Sequence, residues 1–143
     1  MKLAGLMVLA ALLFPPAAFA TGGAWHQKTA GVVISVGKQT MAGAALSAPA
    51  DLPASAQASL LAWRVTLLTP PPAGLEIKLC SAATCIKLAG LSGRKKLTAP
   101  LSARGPFRFV YSVAGRGQLI PALHVVSNEL TVNYRRVIPE PGF

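Results

Sequence analysis

The sequence predicts an all-β fold, a single antiparallel β-sandwich domain of about seven short strands. Three observations predict it. Apolar and polar residues alternate with period two in separate stretches, clearest over Leu61–Leu67, Phe107–Val113 and Leu130–Tyr134, as in strands with one buried face. Clusters of Pro, Gly, Ser and Asn stand between these stretches and turn the chain. No stretch repeats its apolar residues at the spacing of an amphipathic helix.

In chain order, Met1-Lys2 is a short positive start, Leu3–Phe14 an apolar core, and Ala18-Phe19-Ala20 a small-x-small cleavage site behind Pro15-Pro16. This is the pattern of a secretory signal peptide over residues 1–20, with the mature chain beginning at Thr21. A membrane-spanning helix needs roughly 20 apolar residues, and this core ends too soon. Trp25 follows as a packing residue, because large aromatics usually serve burial. Gly31–Val36 is a short β-branched strand. Gly37–Ser59 is rich in Ala, Ser and Pro, with Pro49 and Pro53 too close for a helix through both, and is expected to be a long loop with one short edge strand.

Over Leu61–Leu67, Leu61, Trp63, Val65 and Leu67 share one face while Ala62, Arg64 and Thr66 share the other. The run Thr69–Gly74 ends this strand, since its prolines remove backbone donors and its glycine allows a turn. Leu75–Cys80 and Cys85–Ala89 then form a hairpin with a definable register. Pairing Cys80 with Cys85 sets Leu79 opposite Ile86, Lys78 opposite Lys87 and Ile77 opposite Leu88, so apolar pairs share one face and lysines the other. Opposed cysteines of antiparallel strands are close enough to bond. The other readings are two free thiols, a redox pair or half a metal site. Redox dithiols favour a two-residue spacing at a helix start, and no further Cys or clustered His completes a zinc set. A structural disulfide is therefore expected if the chain is exported.

Gly90–Gly105 carries turn residues, the triplet Arg94-Lys95-Lys96 and Pro100, and is expected to be a surface connection. Phe107, Phe109, Tyr111 and Val113 line the inner face of the next strand. Gly115–Gly117 turns the chain. Gln118–Val126 is a strand placed at an edge or bulge by Pro121, and Ser127-Asn128 is read as a further turn before Leu130–Tyr134. The domain is expected to span residues 21–135, with a frayed tail over 136–143.

The chain carries 14 Lys and Arg against 4 Asp and Glu, a formal net charge of +10. Such a charge suits nucleic acid, an anionic membrane surface or an acidic protein, and an exported destination argues against nucleic acid. Most cations are scattered as on any solvated surface. Arg94, Lys95 and Lys96 form the candidate binding cluster. Asp51 and the glutamates are isolated, His26 and His124 lack partners at ligand spacing, and no serine sits in a nucleophile elbow. No catalytic set, metal site or cofactor is expected, so binding is the expected mode of action.

An ordered set of segments resembles the flagellar protein FlhE family. It runs through Gly23-Ala24-Trp25, Leu61-Ala62-Trp63-Arg64, Pro72-Ala73-Gly74-Leu75, Leu79-Cys80 with Cys85, Ser92-Gly93, Pro106–Val110, Gly117–Leu123, Ser127-Asn128 and Val132–Arg135. The resemblance covers nearly the whole mature domain. The sequence departs from it in Gly37–Ser59, in Arg94–Lys96 and after Arg135. The resemblance implies a periplasmic accessory of the flagellar type III export apparatus, with rod, hook or export components as partners. It further implies action as a chaperone or plug that limits proton leakage through the export channel. Two alternatives stay open, a general periplasmic chaperone and a carbohydrate- or peptidoglycan-binding sandwich. The alternation of most aromatics into apolar faces argues against the glycan reading.

Overall fold

The central strands of the protein carry an apolar face that a second layer must cover. The computed structural model describes residues 22–136. The strands in chain order are β1 (Gly22–Ala30), β2 (Val33–Val36), β3 (Thr40–Ala42), β4 (Ala56–Leu67), β5 (Leu75–Cys80), β6 (Cys85–Lys87), β7 (Ser92–Lys96), β8 (Arg108–Val113) and β9 (Gln118–Arg136). No helix is present among the described residues. All pairings are antiparallel and give two sheets. The larger has the order β1-β9-β4-β7, with β2 also paired to β9; the smaller has the order β3-β8-β5-β6. Their inner faces enclose one core, to which the larger sheet gives Leu61, Trp63, Val65, Leu130 and Val132, and the smaller Ile77, Leu79, Phe109, Tyr111 and Val113. The expected antiparallel sandwich is thus the observed architecture, with nine strands rather than about seven.

The best-patterned elements form as their sequences require. In β4, Leu61, Trp63 and Val65 are buried, and Trp63 donates its indole N–H to the Gly90 carbonyl at 3.0 Å. The strand begins at Ala56, earlier than expected. A register shift between Ala58 and Leu60 moves the inward parity from Ala56 and Ala58 to Leu61 and Trp63, which is how a bulge keeps both halves of one strand facing the core. In β5 and β6 the register is the expected one, with Lys78 opposite Lys87, Leu79 opposite Ile86 and Cys80 opposite Cys85. Cys80 and Cys85 are disulfide-bonded, their Cα atoms 3.9 Å apart. Phe107 is buried just ahead of β8, whose Phe109, Tyr111 and Val113 continue the same inner face.

Trp25 is buried as expected, but one strand was not foreseen and three expectations are corrected. Around Trp25 the chain forms β1, paired along its length with β9. Trp25 is the one buried side chain of that strand, so no alternation announces it. Gly37–Ser59 contains the expected short edge strand as β3, but it also contributes buried Leu46 and Leu52 and the first residues of β4. Gly90–Gly105 is not merely a surface connection: it holds β7, and its later part runs beside the start of β4 through bonds from Ala58 N–H to the Leu101 carbonyl and from Ala103 N–H to the Ala56 carbonyl.

Ser127-Asn128 is no turn. Strand β9 runs on through it, with a register shift against β4 at Ser127, and is 19 residues long. Asn128 is tolerated in the core because its amide is satisfied: its Oδ1 accepts from the Tyr111 hydroxyl, and its Nδ2 donates to Thr29 Oγ1 at 3.2 Å and to the Ala30 carbonyl at 3.3 Å. Pro121 lies where expected, in the part of β9 beyond its pairing with β4 and opposite a register shift in β2. Residues 1–20, Thr21 and the tail beyond Arg136 lie outside the described residues.

Candidate binding surface

A few titratable side chains of the described residues form small surface pairings. His26 Nε2 is 3.4 Å from Glu129 Oε1, and Glu76 lies 3.4 Å from Lys78 and 4.0 Å from Lys87. Burial pushes the Tyr111 phenol well above its ordinary range, and its hydroxyl is engaged by Asn128. No group of three or more His, Cys, Asp or Glu residues is arranged to hold a metal ion among the described residues.

The cationic triplet lies on β7, which is an edge of the larger sheet. Its register on β4 sets Lys96 opposite Leu60, Lys95 opposite Leu61, Arg94 opposite Ala62 and Gly93 opposite Trp63. Opposed residues share a face. Arg94 and Lys96 therefore belong to the outer face of the sheet, while Lys95 belongs to the inner side, at the mouth of the sandwich. A Cβ on Gly93 would come within 2.8 Å of Trp63 Cζ2, so glycine is what lets β7 lie against the indole.

Backbone bonding along β7 alternates. The Val65 N–H donates to the Leu91 carbonyl at 2.7 Å, and the Leu97 N–H to the Ser59 carbonyl at 2.9 Å. In an antiparallel ladder the residues of this parity direct their backbone groups to β4, and those of the other parity direct theirs away. Ser92, Arg94 and Lys96 thus present N–H and C=O groups to the open edge.

Beside that edge runs a groove of about 330 Å³. Thr84 and Ile86 of the β5–β6 hairpin line one side, and Lys95, Lys96, Leu97 and Leu101 line the other. The groove lies where the edge of one sheet approaches the edge of the other, so the stapled hairpin and the cationic triplet are brought together. On the outer face of the larger sheet, cross-strand register places Arg64 beside Glu129, and Glu129 beside Lys28. A smaller depression of about 240 Å³ there is bordered by His26, Arg64 and Glu129. Sequence reasoning found the triplet but missed the groove. The available signal was parity, since Leu97 continues the inward positions of Gly93 and Lys95.

A family model described as flagellar protein FlhE matches residues 31–135, which takes in the groove, the triplet and the strands from β2 onward up to Arg135 of β9. The chain belongs to the FlhE family. It is 41% identical over 129 residues to the flagellar protein FlhE of Escherichia coli (strain K12), covering 90% of this chain and 98% of that one. To the flagellar protein FlhE of Salmonella typhimurium (strain LT2) it is 44% identical over 128 residues, 89% of this chain and 97% of the relative. The FlhE of Yersinia enterocolitica is 32% identical over 114 residues. A crystal structure of FlhE superposes with a TM-score of 0.75 at 43% identity, covering 82% of this chain and 100% of that one. The FlhE fold is therefore the fold of this chain, and a flagellar accessory role follows from the family.

Proposed function

We propose that this protein is a periplasmic accessory of the flagellar type III export apparatus, delivered by the leader over residues 1–20. It acts by binding, as a chaperone or plug that limits proton passage through the export channel. Membership of the FlhE family is the observation that carries this reading. The fold is compatible with it, because a disulfide-stapled, basic β-sandwich with open edges can take up a partner without chemistry of its own. A glycan-binding role is less well supported, since Trp25, Trp63, Phe107, Phe109 and Tyr111 are all buried, and among the described residues only Tyr134 is a partly exposed aromatic.

The test is cytoplasmic pH in flagellated cells with and without the gene, repeated in a strain lacking the export channel. The expected result is acidification without the gene that vanishes when the channel is also absent. No pH difference in either background would remove the proton-limiting role. Intact-mass analysis of the periplasmic fraction is expected to find a chain beginning at Thr21; a mass retaining the leader would contradict the proposed route.

A further inference from the structure

We infer that β7 is an acceptor edge, which takes an extended acidic segment of a protein partner as an added strand with its inward residues over the neighbouring groove. The inference deepens the proposed function and rests on its premise that the protein works by binding another protein. Three independent features meet here. The first is the free backbone of Ser92, Arg94 and Lys96, spaced to bond alternate residues of an incoming strand. The second is charge: Arg94, Lys95 and Lys96 are exposed, and among the described residues none has a carboxylate within ion-pair distance. The third is the groove, whose Ile86, Leu97 and Leu101 give apolar contact beside the edge.

Together these features specify the occupant. Residues of the added strand opposite Arg94 and Lys96 share their outer face and are acidic, because opposite charges stabilise directly opposed positions. The intervening residues point to the groove and are apolar or small. A second copy of this chain is a poor occupant: antiparallel pairing of β7 with itself would set the run Arg94-Lys95-Lys96 against its own cations, and like charges directly opposed are destabilising. The same run protects the edge from self-association in the absence of the partner.

The probe is a fluorescein-labelled peptide of about ten residues, long enough to cover a typical strand, with Glu at alternate positions and Val or Ser between. Fluorescence anisotropy with the purified protein is expected to show binding that weakens as salt is raised. Two control peptides decide the mode. One has the same composition with its glutamates in a block; the other carries backbone N-methyl groups that block the pairing donors. Each is expected to bind about tenfold more weakly or worse.

On the protein side, Arg94→Glu with Lys96→Glu is expected to reduce binding by a similar factor. Ser92→Pro keeps all three cations but removes an outward N–H, which an edge strand tolerates, and it is also expected to weaken binding. Equal binding of the alternating, block and N-methylated peptides would overturn the inference, since charge alone would then account for attraction. The cellular pH assay separates the two levels. Acidification on gene deletion together with indiscriminate peptide binding would sink the edge and leave the function; selective peptide binding with no acidification would sink the proton-limiting role and leave the edge.

Discussion

Asn128 is fully buried, 0% exposed, yet it connects the two sheets. Its Oδ1 accepts from Tyr111 of the opposite layer, and its amide N–H groups reach Thr29 and Ala30 of the neighbouring strand. Tyr111→Phe leaves that oxygen without its donor and is expected to cost about 1–3 kcal/mol in urea denaturation. The same substitution should change the alkaline behaviour. Burial raises the folded-state pKa of Tyr111, so the folded chain holds a proton that the unfolded chain releases near about pH 10. The unfolded state then binds fewer protons, and stability falls as pH rises through that region. Denaturation at pH 8 and pH 11 should show a smaller loss in Tyr111→Phe than in the parent. Trp63→Ala is expected to cost roughly 3–5 kcal/mol, and a near-native midpoint would contradict its buried position. Inward aromatics such as Trp63, Phe109 and Tyr111 were legible because period-two alternation leaves no other face for them. Asn128 was not, because Ser-Asn is turn chemistry by local preference and its tyrosine partner sits 17 residues away on the facing sheet.

At the scale of elements, the β5–β6 hairpin was readable down to its register because each opposed pair matches in polarity. Its disulfide closes a short ring, so Cys80→Ser with Cys85→Ser is expected to lower stability by about 2 kcal/mol or less while the fold persists. Thermal and urea melts under oxidising and reducing conditions measure this, and a collapse of the whole domain would contradict it. Elements β1 and β7 were hidden for a common reason. An edge strand is paired on one side and exposes most of its side chains, so its sequence carries little of the alternation that burial enforces. Ser92–Lys96 consequently looks like a solvated loop until its pairing with β4 is seen. The start of β4 was hidden by its register shift, which breaks the alternation between Ala58 and Leu61.

At the scale of the molecule, the sandwich class was legible from the number and spacing of strand patterns, but the neighbours of each strand were not, because sheet partners are set by contacts distant in sequence. Strand β9 shows the consequence. It lies between β1 and β4 and also carries β2, with Gly22 opposite Arg135 and Trp25 opposite Val132. Removing residues 127–143 should leave β1 without its pairing partner and strip β4 of nearly all its backbone pairing on that side. Limited proteolysis is expected to digest such a chain throughout rather than trim it. The pairing also imposes a timetable on synthesis. While β1 through β8 have emerged, the larger sheet has no spine, and its apolar faces must wait for the last part of the chain. Loop-closure entropy over so long a span makes that final pairing slow compared with a locally connected fold. The larger sheet therefore stays unassembled until β9 is available, and the sandwich cannot close before then.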